Sequence, residues 1–245
     1  MGTSKSFSDL TKRMPNWPSF SGTVTRNCDG SVLAGEKLTD ILKGYVTAIG
    51  GASSAGRGGS KVAGRAGIRT AKKIGGFFAA FTNSGGSFIK ALESTGLDNI
   101  RAKSVSDVVN HLIEYCSGPA STLDDKAAKE ASRLLFEEIL VSANSLEDAE
   151  ELMQQVFTST THEELIIKYF GYYVLEHLSI WFYEKLVKEK GKTVCTELFR
   201  QLKNFIFESL KKMQKKNPLQ KIDWGGDEAD RLIKNIQQDV LTIFN

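Results

Sequence analysis

The chain has 245 residues, of which 41% are hydrophobic and 25% charged, and these values are typical of a soluble globular protein and exclude a disordered one. Three scattered cysteines are too few for a disulfide framework and predict a reducing, cytoplasmic environment. The net charge of +3 is unevenly distributed, because residues 1–90 hold 13 Lys and Arg against 4 Asp and Glu, whereas residues 91–245 hold 19 against 25. The two parts can therefore attract each other, or the basic part can face an external anion.

Nothing in the sequence favours a membrane-spanning or secreted protein. The most apolar stretch, residues 165–187, is interrupted by Lys168, Glu176 and Glu184, so it predicts a buried helix and not a membrane span. The first residues lack the charged and apolar regions of a secretory signal. We therefore expect no membrane partner.

The first six residues, MGTSKS, place Gly2 and Ser6 where an N-myristoylation signal requires them. A single acyl chain anchors a protein stably only with a second signal, for which Lys5, Lys12 and Arg13 are the candidates. A myristoylated membrane protein is therefore one alternative that the N-terminus leaves open.

Residues 1–35 show no sustained helical or strand periodicity and predict a flexible N-terminal tail, rich in Ser, Thr, Gly and Asn. Several apolar side chains in this tail are predicted to dock into a groove on this protein or on a partner. They are Phe7, Leu10, Met14, Trp17 and Phe20.

Residues 36–245 predict an all-α domain, a multi-helix globular bundle with a basic Gly/Ala-rich part at 36–95 and an acidic part at 96–245. The predicted helical segments, in chain order, are 36–50, 52–81, 87–95, 104–116, 121–143, 145–157, 161–191, 193–216 and 227–244. Ser104 is the expected N-cap of the 104–116 segment, and Ser145 with Asp148 forms an expected capping box. Gly191 and Pro218 mark two expected helix ends.

The most unusual segment extends from Gly50 to Gly76 and contains nine glycines, six basic residues and no acidic residue. It is similar to a phosphate-binding loop but lacks the Gly-Lys-Ser/Thr sequence of a P-loop, and a predicted helix precedes it where a dinucleotide-binding loop needs a strand. Ser60 is predicted to cap a helix whose free N–H groups point towards an anion, beside Arg57 and Lys61.

Basic residues occur at every fourth position from residue 57 to residue 73, a spacing that forms a slowly winding stripe on a helix. We interpret the stripe either as a solvated face or as a docking surface for phosphates, for an acidic partner or for the acidic remainder of this chain. The candidate docking residues are Arg57, Ser60, Lys61, Arg65, Arg69 and Lys73. Between them, small residues permit the close approach of a neighbouring element. These are Ala63, Gly64, Ala66, Gly67 and Ala71.

The sequence offers no convincing catalytic or metal-binding motif. His111, His162 and His177 do not form a zinc-binding pattern, and each is interpreted as a surface or helix-packing residue. No G-x-S-x-G nucleophile motif is present. We therefore predict a protein that is not an enzyme and has no metal or cofactor of its own.

Three features together resemble the B component of the bacterial Qat anti-phage defence system, QatB. They are the MGTS start, the Gly/Ala/Arg segment SSAGRGGSKVAGRAGIRTAKKIGGF followed by GGSFIKAL, and the helical remainder. The resemblance is best over residues 1–5 and 44–140.

This resemblance implies a bacterial cytoplasmic protein that works beside an ATPase, a TatD-like nuclease and a QueC-like enzyme that uses ATP and zinc. It also implies that the QueC-like enzyme joins an activated deazaguanine to the amine of Gly2, with Thr3 and Ser4 as the residues that the enzyme recognises. The helical body would then bind the partner enzyme. The alternative from another class is a nucleic-acid-binding module that uses the basic stripe of residues 57–73.

Overall fold

The protein is all-α in the part of the chain that the computed structural model describes, namely residues 11, 12, 14–213 and 222–245. These residues form eleven α-helices and one short 3₁₀-helix, and they contain no β-strand. The α-helices are α1 (Trp17–Asn27), α2 (Gly35–Ala48), α3 (Ala52–Gly56), α4 (Arg65–Asn83), α5 (Phe88–Glu93), α6 (Val105–Ser117), α7 (Leu123–Ile139), α8 (Leu146–Ser159), α9 (His162–Lys190), α10 (Lys192–Leu210) and α11 (Asp227–Ile243), and the 3₁₀-helix is Ile100–Ala102. The predicted all-α class is confirmed.

Three successive helices, α6, α7 and α8, each begin with a capping box. In each, the N-cap hydroxyl accepts a hydrogen bond from the backbone N–H three residues later, and the aspartate at that position accepts one from the N-cap N–H. The pairs are Ser104 with Asp107, Thr122 with Asp125 and Ser145 with Asp148. The boxes at Ser104 and Ser145 begin their helices where the sequence predicts, and the third helix starts at Thr122.

The chain divides into two compact units, each built from segments that are separate in sequence. Unit 1 comprises Met1–Arg65, Val174–Met213 and Lys234–Asn245, and unit 2 comprises Ala66–Tyr173 and Gln214–Ile233.

In unit 1, helix α2 packs against α1 and α10 and buries one apolar face. Tyr45 is fully buried, and its hydroxyl lies 2.8 Å from Nδ1 of His177, whose ring stacks on Trp181 with 5.2 Å between ring centroids. Unit 2 has its own core of four buried phenylalanines with centroids about 6 Å apart, a separation typical of packed aromatic pairs. These are Phe77, Phe78, Phe88 and Phe136.

The predicted tail over residues 1–35 is wrong from Trp17 onward, because residues 17–27 form helix α1. Pro18 lies in the first turn, where its missing N–H costs nothing, and Phe20 and Val24 are buried. Met14 is also buried and Trp17 stacks on Phe182, so these residues dock on unit 1 itself. Phe7 and Leu10 lie outside the described residues.

Helix α10 ends at Leu210, six residues before the predicted end at residue 216. The helix therefore ends before Asn217-Pro218, the predicted stop signal. That signal lies outside the described residues. The predicted 52–81 segment is split into α3 and α4. The remaining predicted helices start and end within a few residues of the observed ones, including the end of α9 just before Gly191.

Candidate functional site

The basic residues predicted to share one helix face lie in two different structural contexts. Helix α4 begins only at Arg65, so Arg57 and Lys61 lie in the connection between α3 and α4. Gly58 has φ +71° and Gly64 has φ +107°, a backbone conformation that interrupts any helix through this region. The predicted helical stripe over residues 57–73 is therefore wrong for its first two members.

Ser60 caps a turn and not the helix that the sequence predicts. Its Oγ accepts hydrogen bonds from the N–H groups of Val62, at 3.2 Å, and Ala63, at 3.3 Å. The side chain is buried, and these two N–H groups precede α4. The hydroxyl therefore holds the glycine-rich connection in shape, as Ser and Thr side chains do in local turns.

Three cations of unit 1, Arg57, Lys61 and Arg65, are exposed around this turn. Arg65 donates from Nε to the carbonyl of Gly58 at 2.8 Å, which folds its side chain back over the turn. Because Arg57 and Lys61 lie in this connection and Arg65 begins α4 directly after it, the three form the remaining candidate docking surface for an anion. We refer to Arg57, Lys61 and Arg65 as the basic turn.

The first turn of α4 is occupied by carboxylates of unit 2 itself. The N–H of Ala66 donates to Oδ2 of Asp124 at 3.0 Å, and the Arg69 guanidinium pairs with Asp125 at 2.8 Å. The hydroxyl of Tyr173 also donates to Asp124. The place that an external anion would take at this helix N-terminus is therefore filled from within the chain.

Asp125 is a strongly stabilised carboxylate. Burial alone would raise its pKa, but hydrogen bonds from Arg69, Thr122 and Ser121 outweigh the burial and lower the pKa to about 2. The side chain thus serves both as the capping-box acid of α7 and as the partner of Arg69. Asp124 and Asp125 were not among the predicted site residues, although the acid-rich start of the 121–143 segment was visible in the sequence.

The two lysines of α4 that follow Arg69 contact other segments of unit 2, the unit to which they themselves belong. Lys73 donates to the carbonyl of Tyr115 at 2.8 Å and lies 5.1 Å from the centroid of that ring. Lys72 pairs with Asp230 at 2.8 Å. Of the predicted docking residues, Arg69 and Lys73 therefore hold helices of their own unit together, and the acidic remainder of the chain is their partner.

Replacing Asp125 with Asn is expected to lower the free energy of unfolding by about 1–3 kcal/mol at pH 7, because a charge-assisted pair to Arg69 is lost. In the wild type the folded-state pKa of Asp125 is depressed to about 2, so its contribution is complete above the unfolded pKa of about 3.8. That contribution is lost as the pH falls from about 3.8 to about 2.

Urea denaturation at pH 7 and at pH 3 measures this prediction. The difference in stability between the wild type and Asp125→Asn should be smaller at pH 3. The exposed Asp98, to which no ion pair is assigned among the described residues, supplies a matched control in Asp98→Asn. Equal losses for both variants at pH 7 would contradict the assigned role of Asp125.

The glycines of the unusual segment permit close packing. In unit 1, a Cβ at Gly56 would lie 2.5 Å from Cβ of Gln238, and a Cβ at Gly64 would lie 2.4 Å from the carbonyl oxygen of Ala55. In unit 2, a Cβ at Gly67 would lie 2.8 Å from the ring of Tyr173. The predicted close approach to the small residues is thus confirmed, and it explains the glycines without a bound phosphate.

The three histidines lie in helix-packing positions, as the sequence predicts. The hydroxyl of Thr95 lies 2.8 Å from Nε2 of His111, and that of Thr82 lies 3.1 Å from Nε2 of His162. Burial lowers the pKa of His162. Across residues 11, 12, 14–213 and 222–245, no group of three or more His, Cys, Asp or Glu side chains is placed to hold a metal ion.

The other predicted site residues, Gly2, Thr3 and Ser4, lie outside the described residues. Within the described part of the chain, none of the helices combines the length and apolar character needed to cross a membrane.

Fold and site together define an all-helical protein whose most unusual segment is built for tight internal packing and leaves a small basic turn exposed. A protein-family model described as Qat anti-phage system associated protein QatB matches residues 50–244, and the chain belongs to this family. It is therefore an anti-phage defence protein, and its partners belong to the Qat system. No curated protein and no solved structure matches the chain.

Proposed function

We propose that the protein is a non-catalytic component of its Qat system and that a QueC-like enzyme of the same system modifies the amine of Gly2. Thr3 and Ser4 serve as the recognised sequence, and the helical body binds the enzyme. Family membership is the observation that carries this proposal. The matched residues begin at Gly50, so the N-terminal part of the proposal rests on the MGTS sequence and on the structure of α1.

Helix α1 supplies a fixed point from which the N-terminus extends. The ring of Trp17 stacks on Phe182 with 5.3 Å between centroids and an interplanar angle of 12°, and Phe20 meets the same ring edge-on at 5.1 Å. Met14, just before α1, is also buried, and twelve peptide units separate Gly2 from it. A chain of this length spans up to roughly 40 Å when extended, which is long enough to enter a deep active site.

The chemistry favours a glycine amine as acceptor. Once Met1 is removed, the α-amine of Gly2 has an ordinary pKa of about 7.7–8.0, so a useful fraction is neutral and nucleophilic near neutral pH. Glycine also presents no side chain to hinder attack on an acyl group. An ATP-activated carboxylate on the deazaguanine would form an amide with this nitrogen and release the activating group.

Intact mass spectrometry of the protein produced together with the QueC-like enzyme tests the proposal. We expect the mass of the chain without Met1 to increase by one deazaguanine acyl group, and fragmentation should place the added mass on Gly2. Gly2→Pro should abolish the adduct, because its amine is secondary and hindered. Ser19→Ala, at an exposed position of α1, is the control and should retain it. An unchanged mass in the wild type would overturn the proposal.

A second candidate function, nucleic-acid binding, is favoured by the exposure of the basic turn. Arg69 and Lys73 pair internally, so Arg57, Lys61 and Arg65 are the residues left to contact phosphates. On this alternative, duplex DNA binds with an affinity that falls steeply with salt, and the triple Glu variant of the basic turn loses binding. Salt-independent or absent binding in the wild type would eliminate it.

A further inference from the structure

Unit 1 contains two neighbouring buried thiols, Cys28 and Cys195, which neither the fold class nor the proposed function explains. Cys28 directly follows helix α1, and Cys195 lies in the first turn of α10. Both are fully buried, and each thiol perturbs the pKa of the other, which places the two near one another. They are 167 positions apart in sequence, so the fold alone brings them together.

We propose that Cys28 and Cys195 are a redox-sensitive pair that closes to a disulfide when the protein meets a hydroperoxide. The bond would fasten the end of α1 to the start of α10 within unit 1. Two thiols that share one contact in a reducing environment are a recurring source of reversible disulfides. This site is independent of Gly2 and of the basic turn.

The backbone around the pair is held in register by contacts between the same two elements. Gln201 of α10 donates from Nε2 to the carbonyl of Ser31 at 3.0 Å and accepts the N–H of Leu33 at 2.8 Å. A Cβ at Gly30 would lie 3.4 Å from Cγ2 of Val194, the residue before Cys195. The loop after Cys28 therefore contacts α10 both before Cys195, at Val194, and after it, at Gln201. These contacts keep the two sulfurs near each other.

The two thiols have different environments, and the difference assigns their roles. Burial and the nearby Asp29 raise the pKa of the Cys28 thiol, and the opposing effects of Lys190 and Cys195 reduce this rise without cancelling it. Burial and the Cys28 thiol together raise the pKa of Cys195 to about 11. The Cys195 sulfur also lies 3.7 Å from the carbonyl of Tyr183. Because Cys28 borders the exposed loop of residues 29–32 and Cys195 lies within α10, we assign Cys28 as the thiol that reacts first and Cys195 as the one that resolves it.

Access to Cys28 requires a local movement that breaks the hydrogen bonds of Gln201 to Ser31 and Leu33. The following residues, from 29 to 32, are all exposed, and Val32 is 87% exposed. Opening of this loop uncovers Cys28 without unfolding the helices, as is common for surface loops. Because opening must precede reaction, we expect oxidation to be slower than that of an exposed thiol.

The chemistry balances with hydroperoxide as the two-electron oxidant. The Cys28 thiolate attacks one peroxide oxygen, the O–O bond breaks, and Cys28 becomes a sulfenic acid while water or an alcohol leaves. The Cys195 sulfur then attacks the Cys28 sulfur, the S–O bond breaks, and water is released as the S–S bond forms. The net change in the protein is the loss of two hydrogen atoms.

Intact mass spectrometry of the full chain, incubated with hydrogen peroxide and then alkylated under denaturing conditions, tests the proposal. We expect the wild type to lose two hydrogen atoms and to retain one alkylatable thiol, and proteolysis should yield a peptide pair joined through Cys28 and Cys195. Dithiothreitol should restore three thiols. Wild-type protein that keeps three alkylatable thiols, or that links a different pair, would overturn the proposal.

The third cysteine supplies a matched control. Cys116 is fully buried in unit 2, and burial raises its pKa strongly. Cys116→Ser should still form the disulfide, whereas Cys28→Ser and Cys195→Ser should not. Circular dichroism establishes that each variant is folded. A folded Cys195→Ser variant that still loses two hydrogen atoms would contradict the assigned pair.

Discussion

Replacement of Gly64 with Ala is expected to lower the free energy of unfolding by about 2–6 kcal/mol, through two separate costs. The residue has φ +107°, a conformation that side chains of L-residues rarely adopt. The added Cβ would also lie 2.4 Å from the backbone oxygen of Ala55 and 3.0 Å from Nε2 of Gln237. A backbone oxygen cannot move aside as a side chain can, so the connection itself must shift.

Gly51 separates these two costs. It has φ +90°, but no atom lies within 4 Å of its added Cβ. Gly51→Ala should therefore show the backbone cost alone, about 1–3 kcal/mol. Urea denaturation followed by tryptophan fluorescence, to which Trp17 and Trp181 of unit 1 and Trp224 of unit 2 contribute, measures the two variants.

The comparison also tests what the glycine-rich segment is for. If Gly64→Ala were no more destabilising than Gly51→Ala, close packing would not explain this glycine, and the phosphate-binding interpretation would regain support. A clear difference between the variants supports a segment whose small residues serve the contact between the 50–64 region and α11 inside unit 1.

Local signals predicted most of the fold because they depend on neighbouring residues. The capping box at Ser145 and Asp148, and the glycine at residue 191, marked helix ends that the structure confirms. The apolar periodicity of residues 36–50 likewise predicted α2. In each case the residues that decide the structure lie within one turn of each other.

Helix α1 was missed because its stability comes from contacts distant in sequence. Its composition, with Ser, Thr, Gly and Pro, has low intrinsic helix propensity. What holds it is the packing of Trp17 and Phe20 on Phe182, more than 160 positions later in the chain. No periodicity within residues 1–35 reports that contact.

The prediction that residues 57–73 form one helical stripe was wrong because it relied on local spacing alone. Basic residues four positions apart suggest one helix face even where the chain is not helical. The positive φ angles of Gly58 and Gly64 interrupt that helix, and glycines at those positions were the available signal. The partner of Arg69 is Asp125, 56 positions away, so charge spacing alone could not identify it. The asymmetry of charge between the two parts of the chain did indicate that such internal pairing was available.

Phe20→Ala is expected to lower the free energy of unfolding by about 3–5 kcal/mol, the range for removing a large buried aromatic side chain. Phe20 is 3% exposed and contacts the ring of Phe182 edge-on. Its ring also covers Gly44 of α2, where an added Cβ would lie only 2.6 Å from Cδ2 of Phe20. The truncation therefore leaves a cavity between α1, α2 and α9 within unit 1.

Ser19→Ala is the matched control, because Ser19 is exposed on the same helix and its replacement should change stability by no more than about 0.5 kcal/mol. Gly44→Ala tests the same contact from the opposite side, since its Cβ forces the Phe20 ring to move, at a cost of about 1–3 kcal/mol. Thermal and urea denaturation measure all three variants. If Phe20→Ala matched Ser19→Ala, α1 would not be packed in solution, and Trp17 would lose its role as the fixed point from which Gly2 reaches a partner enzyme.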